Sequence, residues 1–282
     1  MVFTPQEIDF EEIPCPICQE RRYAIQYLFE PYRVVKCGSC GISYLSPRLK
    51  EEAIQRFYAS ETYYGGSEVG YSETSYRDQE QTLRLTFRRL LRNLAKRHLT
   101  GGSLLEIGCG FGYLLDEAKD YFSVRAGTDF SEQALQEAGP FCETLFRGGV
   151  ESVPVEERYD CIIANHVIEH VYAPREFLAS LLRLLKPGGA IVVATPNMNS
   201  PLRHLLGRKW PSFKIPEHVI YFDSKRLAEL LTACGLRGVS RIPYNHAFPF
   251  GLMNRIVPVP RSLHGKILWI PTTTVCAYGF KG

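Results

Sequence analysis

A chain of 282 residues is long enough for one large domain or two smaller ones with a substantial buried core, which excludes a miniprotein held together by disulfides. With 45% hydrophobic and 22% charged residues the composition argues against long disorder. The 33 basic and 30 acidic side chains leave a net charge of only +3, so a nucleic-acid or anionic-membrane partner would need a local patch.

The opening residues, MVFTPQEIDFEE, carry Glu7, Asp9, Glu11 and Glu12 where a secretory signal needs a basic segment and then an apolar run, so export is not expected. No apolar run of about 18 residues occurs. The weakly charged stretch from Ile267 to Phe280 is broken by Pro271 and three threonines, and a membrane span is not expected. Of nine cysteines, four fall within the first 40 residues and five are scattered singly, a distribution that points to reduced thiols, a local metal site and a cytoplasmic setting.

Cys15 and Cys18 form one C-x-x-C pair, Cys37 and Cys40 a second, with 18 residues between the pairs. Two tight turns can aim four thiolates at one tetrahedral ion, while Tyr23–Phe29 and Tyr32–Val35 supply a hairpin broken at Glu30-Pro31. The expectation is a structural Zn2+ ribbon over residues 10–47, with a closed coordination sphere. Its basic residues, Arg21, Arg22, Arg33 and Lys36, are not clearly clustered, so nucleic-acid reading by the ribbon is disfavoured.

Residues 48–100 read as a helical connector and cofactor lid. Arg48–Tyr58 predicts a short helix, followed by a glycine-bearing loop in which Tyr63, Tyr64, Tyr71 and Tyr76 either close over a ligand or simply pack. Between Arg77 and His98, Leu83, Phe87, Leu90, Leu91 and Leu94 keep helical spacing. Arg84, Arg88 and Arg92 line another face, either solvated or reading a phosphate or carboxylate.

Residues 103–115, SLLEIGCGFGYLL, run from a strand through a glycine turn into a helix. Gly108, Gly110 and Gly112 let the backbone approach a ligand, but Tyr113 stands where the dinucleotide fingerprint requires its third glycine, which demotes a nicotinamide cofactor. A second strand, Val124–Thr128, ends at Asp129, a carboxylate suited either to two ribose hydroxyls or to capping the next helix. Glu151 follows Gly148-Gly149-Val150, and a fourth strand, Tyr159–Ala164, leads into Asn165-His166-Val167-Ile168-Glu169-His170.

Taken in order, LLEIGCGFG, GTDFS, YDCIIANHVIEHV, LLRLLKPGGAIVVATPN and PEHVIYFDSKRLAELLTACGL resemble the class I S-adenosylmethionine-dependent methyltransferases, more closely the small-molecule branch with an amino-terminal zinc ribbon. The resemblance implies an α/β fold: a Rossmann-like sheet, mostly parallel with the last strand antiparallel, over residues 101–282. It implies S-adenosylmethionine as cofactor, with Glu106 and the glycine loop at its methionyl end, Asp129 with Phe130 at the ribose, Val150 and Glu151 near the adenine, and Asn165 again at the methionyl moiety. Many relatives have Asp at or beside Gly149; this chain has Gly149-Val150-Glu151.

Methyl transfer needs alignment and, for a hydroxyl acceptor, a base. His218, beside Glu217, resembles the histidine base of ribbon-bearing sugar methyltransferases, with Glu217 expected to orient it; a structural role at a strand end is the other reading. Some relatives have Tyr two residues before that Glu, and Ile215 stands here, so O- or N-methylation is favoured over C-methylation. His166 is the second candidate base, although both it and His170 read equally as helix-packing residues. Ala247–Ile270 is expected either to line the acceptor pocket or to form a packing or dimer surface. Two rival functions are a non-catalytic cofactor-binding scaffold and a nucleic-acid-modifying enzyme docking through the ribbon and arginine helix.

Overall fold

A computed structural model describes residues 6–58, 76–250, 260, 262 and 266–282. The chain begins with strands β1 (Phe10–Glu11), β2 (Tyr23–Phe29), β3 (Tyr32–Cys37), β4 (Ser43–Leu45) and β5 (Arg48–Leu49), then helices α1 (Glu51–Tyr58) and α2 (Glu80–Ala95). The central part contains β6 (Ser103–Ile107), α3 (Tyr113–Glu117), β7 (Val124–Asp129), α4 (Glu132–Ala138), β8 (Thr144–Arg147), β9 (Tyr159–Asn165), α5 (Pro174–Leu184) and β10 (Leu185–Pro196). The last part adds α6 (Pro201–Leu206), β11 (Ile220–Tyr221), α7 (Ser224–Ala233), β12 (Leu236–Arg241), β13 (Asn245–Pro249), β14 (Ile267–Pro271) and β15 (Thr274–Lys281).

Seven strands form the main sheet in the order β12-β15-β10-β9-β6-β7-β8. The last strand, β15, runs antiparallel to both neighbours, and the β10-β9, β9-β6, β6-β7 and β7-β8 pairs are parallel. Runs such as Leu104-Leu105 and Ile191-Val192-Val193 carry no polar alternation because helices cover both faces. Leu105 and Ile107 pack with Leu178 and Leu181 of α5 and Leu227 of α7, whereas Leu104 faces Leu90, Leu91 and Leu94 of α2 and Leu114 of α3. The chain moves outward from β6 through β7 to β8, then returns to place β9 on the other side of β6. The crevice at their carboxyl ends is where open α/β sheets collect ligands.

The ribbon strands β2, β3 and β4 form a separate antiparallel sheet whose fourth strand is β11, contributed from almost 180 residues downstream, with Ile220 opposite Tyr44 and Tyr221 opposite Ser43. Its core is continuous with the main one, since Cys15, Val35, Ile42 and Tyr44 share a cluster with Ile168, Val219 and Phe222.

Some local expectations change. Arg48 and Leu49 pair with Phe10 and Glu11 as strand, and the helix starts only at Glu51, where Glu51 and Glu52 suit the positive helix end. Two of the three arginines reach acids of α3: Arg84 meets Asp116 at 2.6 Å and Glu117 at 3.2 Å, besides Glu80 of its own helix at 2.7 Å, and Arg88 meets Glu117 at 2.5 Å, while Arg92 stays exposed. Arg84 and Arg88 thus pin α2 onto α3 rather than forming a purely solvated or anion-reading face. Tyr63, Tyr64 and Tyr71 lie outside the described residues, as does much of 247–270. The described flanks of that segment, β13 and β14, pair as an antiparallel ribbon from Asn245↔Pro271 to Pro249↔Ile267.

Candidate active site and cysteine cluster

The four ribbon cysteines converge. Their Sγ atoms all lie within 4.8 Å of one another, with Cys15 to Cys40 and Cys18 to Cys37 both 3.5 Å. Each turn is built for this approach: the Gln19 N–H donates to the Cys15 carbonyl with Gln19 at φ 62°, the Cys37 N–H donates to the Ile42 carbonyl, and Gly41 takes φ 71°. Burial pushes the Cys40 thiol up to about 11, whereas at Cys18 burial, the largest single effect, is outweighed by the combined hydrogen bonds of the Glu20 backbone and the neighbouring thiols, which bring it to about 7. Four converging sulfurs are a donor set for a soft or borderline tetrahedral cation.

In the main domain, Gly108, Gly110 and Gly112 adopt φ of 70°, 52° and 75°, a left-handed path. A Cβ on Gly108 would come within 2.9 Å of Val167 Cγ2, and one on Gly112 equally close to Ala138. Below the loop, Glu106 is buried and its Oε2 has no hydrogen-bond partner among the described residues. Burial, reinforced by the Asp129 carboxylate, pushes its carboxyl well above the usual range. Asp129 Oδ2 accepts the Gly110 N–H and Oδ1 the Ser131 N–H, each at 2.9 Å, so this carboxylate holds the glycine loop. The helix cap itself is Ser131, whose side chain accepts the Ala134 N–H. Phe130 is exposed beside it; Val150 starts a short 3-10 turn, and Glu151 Oε1 accepts the Gly149 N–H at 2.7 Å. Tyr76 stacks on Tyr113 with centroids 5.5 Å apart and sits over Gly110.

β9 ends at Asn165, and His166 follows it at the carboxyl edge. The Tyr244 hydroxyl donates to Asn165 Oδ1 at 2.9 Å. His166 takes φ 56°, its N–H donates to the Ala194 carbonyl, and its Nδ1 lies 3.2 Å from Glu169 Oε1. The Nε2 atom of His166 is buried and has no hydrogen-bond partner among the described residues. Glu169 is 1% exposed, yet the three nearby histidines and the His166 hydrogen bond outweigh the upward effect of burial and hold its carboxyl down at about 2. His170 Nδ1 donates to the Glu217 carbonyl at 3.1 Å, and the His170 and His218 rings meet edge to face at 4.7 Å.

His218 is turned by the Ser212 carbonyl, which accepts from its Nδ1 at 2.8 Å, and not by Glu217. The expected Glu217–His218 pairing is therefore corrected: Glu217 makes an ion contact with Lys214 at 3.6 Å, and its buried Oε2 has no hydrogen bond among the described residues. Consecutive residues in this turn send their side chains in different directions. Sequence reasoning passed over Glu169 as a partner, although its i,i+3 spacing from His166 was the available signal. Tyr244 gave no such signal.

A family model described as a methyltransferase domain matches residues 76–241. The chain belongs to this family. The methyltransferase is 30% identical over 139 residues to a protein of Mycolicibacterium smegmatis named as a probable S-adenosylmethionine-dependent methyltransferase, a match covering 48% of this chain and 52% of that protein. It is 29% identical over 169 residues to the ubiquinone biosynthesis O-methyltransferase of Paraburkholderia xenovorans, covering 54% and 72%. Thus it spans about half the length of the first relative and nearly three quarters of the second. The fold matches the magnesium protoporphyrin IX methyltransferase of Synechocystis PCC 6803 with a TM-score of 0.54 at 14% identity, over 82% of this chain and all of that one. The methyltransferase domain is thus of the S-adenosylmethionine-dependent class, and the ribbon lies outside the residues that the family model matches. Among the described residues no helix is long and apolar enough to cross a membrane.

Proposed function

We propose that this methyltransferase transfers a methyl group from S-adenosylmethionine to an oxygen or nitrogen of a small-molecule acceptor such as a sugar, glycoside or other specialised metabolite, with His166 as proton acceptor. The observation that carries the reading is the dyad of Glu169 and His166 at the end of β9, one strand away from the glycine loop after β6. Glu169 holds Nδ1 as the donor and leaves the Nε2 lone pair for a proton. His218 as the base is the second assignment: the Ser212 carbonyl fixes its Nδ1–H and leaves the Nε2 lone pair, while burial and the neighbouring His170 hold its pKa well below the usual histidine range and make it the weaker base.

The residues of the crevice fit the cofactor. Glu106 offers an unpartnered carboxylate oxygen to an ammonium group, the glycine loop offers close backbone approach, and Asp129, Phe130, Val150, Glu151 and Asn165 border the same edge. When bound, S-adenosylmethionine supplies a methyl carbon activated by sulfonium, so the protein has to align the acceptor and remove its proton. The ribbon cysteines Cys15, Cys18, Cys37 and Cys40 would hold one structural zinc, and residues 10–47, 48–100 and 101–282 would serve as ribbon, connector with lid, and catalytic domain.

A panel of candidate acceptors, scored by product mass for a gain of one methyl, tests the activity. Cofactor binding without turnover across the panel would favour a scaffold instead, and steeply salt-dependent binding of RNA would favour the nucleic-acid reading.

Two further results are expected at the cofactor. Asp129→Ala should weaken S-adenosylmethionine binding by about 1.5 to 3 kcal/mol, the scale of a lost charge-assisted hydrogen bond, measured by calorimetry on the folded variant. Parental affinity would confine Asp129 to holding the loop. Because its raised pKa keeps Glu106 protonated over a wider pH range until a cation arrives, ammonium binding should release a proton, and affinity should rise with pH. Calorimetry in buffers of different ionisation enthalpy reads that proton count directly, and parental affinity in folded Glu106→Gln would remove Glu106 as the counter-charge.

A further inference from the structure

The ribbon thiolates are not the molecule's only convergent ligand set. Behind His166, a carboxylate oxygen of Glu169 and one ring nitrogen each of His170 and His218 lie within 4.8 Å of one another. We propose that Glu169, His170 and His218 form a second, nitrogen- and oxygen-donor site for a divalent cation.

Both imidazoles are already fixed as metal-binding histidines are. His170 Nδ1–H donates to the Glu217 carbonyl and His218 Nδ1–H to the Ser212 carbonyl, which selects the tautomer that carries its lone pair on Nε2. Glu169 is committed through Oε1 to His166, while Oε2 has no hydrogen-bond partner among the described residues, in a side chain that is 1% exposed. A buried carboxylate oxygen without a hydrogen bond is costly, and a cation is the partner that two facing imidazoles can share with it. Lys214, 3.6 Å from Glu217, is the positive charge that both imidazoles feel, and Glu169 and Glu217 are the negative charges set against it. With metal bonds of about 2.0 to 2.2 Å, the donors need to close by roughly 1 Å, within the reach of side-chain rotation.

Two imidazoles and one carboxylate suit Zn2+, Mn2+, Fe2+ or Co2+ better than Ca2+ or Mg2+. Three protein ligands also leave a coordination position open, unlike the four-sulfur ribbon. At the carboxyl edge of the sheet, that position would take an oxygen of the acceptor. This part of the inference alone rests on the proposed methyl transfer, and it narrows the acceptor to one that presents an oxygen ligand.

Mn2+ is the probe of choice, because hard ions compete poorly for thiolates. Zinc-replete protein is titrated with Mn2+, free Mn2+ is read by electron paramagnetic resonance, and bound metals are counted by elemental analysis. The expected result is about one Mn2+ per chain beyond the ribbon zinc, with binding weakened at least tenfold in His170→Ala, His218→Ala and Glu169→Gln. Glu169→Gln keeps the side-chain shape, so it preserves the test should a histidine variant fail to fold. Absence of stoichiometric Mn2+ binding by the parent, or parental binding by folded Glu169→Gln, overturns the site. The readout is independent of turnover: methylation with no bound Mn2+ removes the cation and leaves the activity, whereas bound Mn2+ with no product keeps the cation and removes the acceptor reading.

Discussion

His166→Ala is expected to slow methyl transfer to a hydroxyl acceptor by about 10²- to 10⁴-fold while changing cofactor affinity little. A hydroxyl is a poor nucleophile until its proton leaves, and His166 Nε2 is the buried, unpartnered nitrogen whose ring is already oriented by Glu169. Asn165, its neighbour, is tied to Tyr244, so removal of the imidazole leaves the strand end anchored. Single-turnover rates measure the chemical step free of product release. An amine acceptor can enter as its free base, and there the loss should be far smaller because alignment carries most of the rate. A near-parental single-turnover rate on a hydroxyl acceptor would dismiss His166 and pass the proton to His218, whose own alanine variant is measured alongside.

If the ribbon cysteines hold the proposed zinc, the double substitution Cys37→Ser, Cys40→Ser should remove it and destabilise the protein by more than about 4 kcal/mol, the range in which loss of a metal site stands out from ordinary substitutions. The effect should not stay local. Cys15 and Cys37 sit in one apolar cluster with Ile168, Val219 and Phe222, so loosening the ribbon opens a flank of the catalytic domain. Elemental analysis and urea unfolding followed at two wavelengths check this. Unchanged metal content in the variant would sink the assignment, and unchanged stability would show that the cluster holds without its ion.

The parts legible in the sequence were those set by short-range rules. Two C-x-x-C turns, the glycine turn between β6 and α3, and the apolar runs of β6, β9 and β10 each state their local geometry within a dozen residues. Partnerships across the fold were less accessible. Glu217 and His218 are adjacent in sequence and diverge in space, whereas Glu169 and His218 are 49 positions apart and meet through the packing of β9's end against the turn before β11. Periodicity leaves Arg84 and Arg88 of α2 as either a solvated or an anion-reading face, because their acidic partners Asp116 and Glu117 belong to α3 beyond the glycine loop. Helical spacing identifies a polar face without saying what lies across from it.

Strand β11 has one more bearing. Val219 accepts a hydrogen bond from Leu45 of the ribbon and donates one to the Glu169 carbonyl, and the next two residues complete the ribbon sheet. The segment that carries His218 is therefore shared property of both units. A chimera that exchanged only the first 47 residues for those of a relative would inherit a mismatched seam, with the histidine cluster on one side and foreign strands on the other. Grafts that also carry residues 210–222 keep the seam intact, so the natural unit of exchange in this protein is discontinuous in the chain.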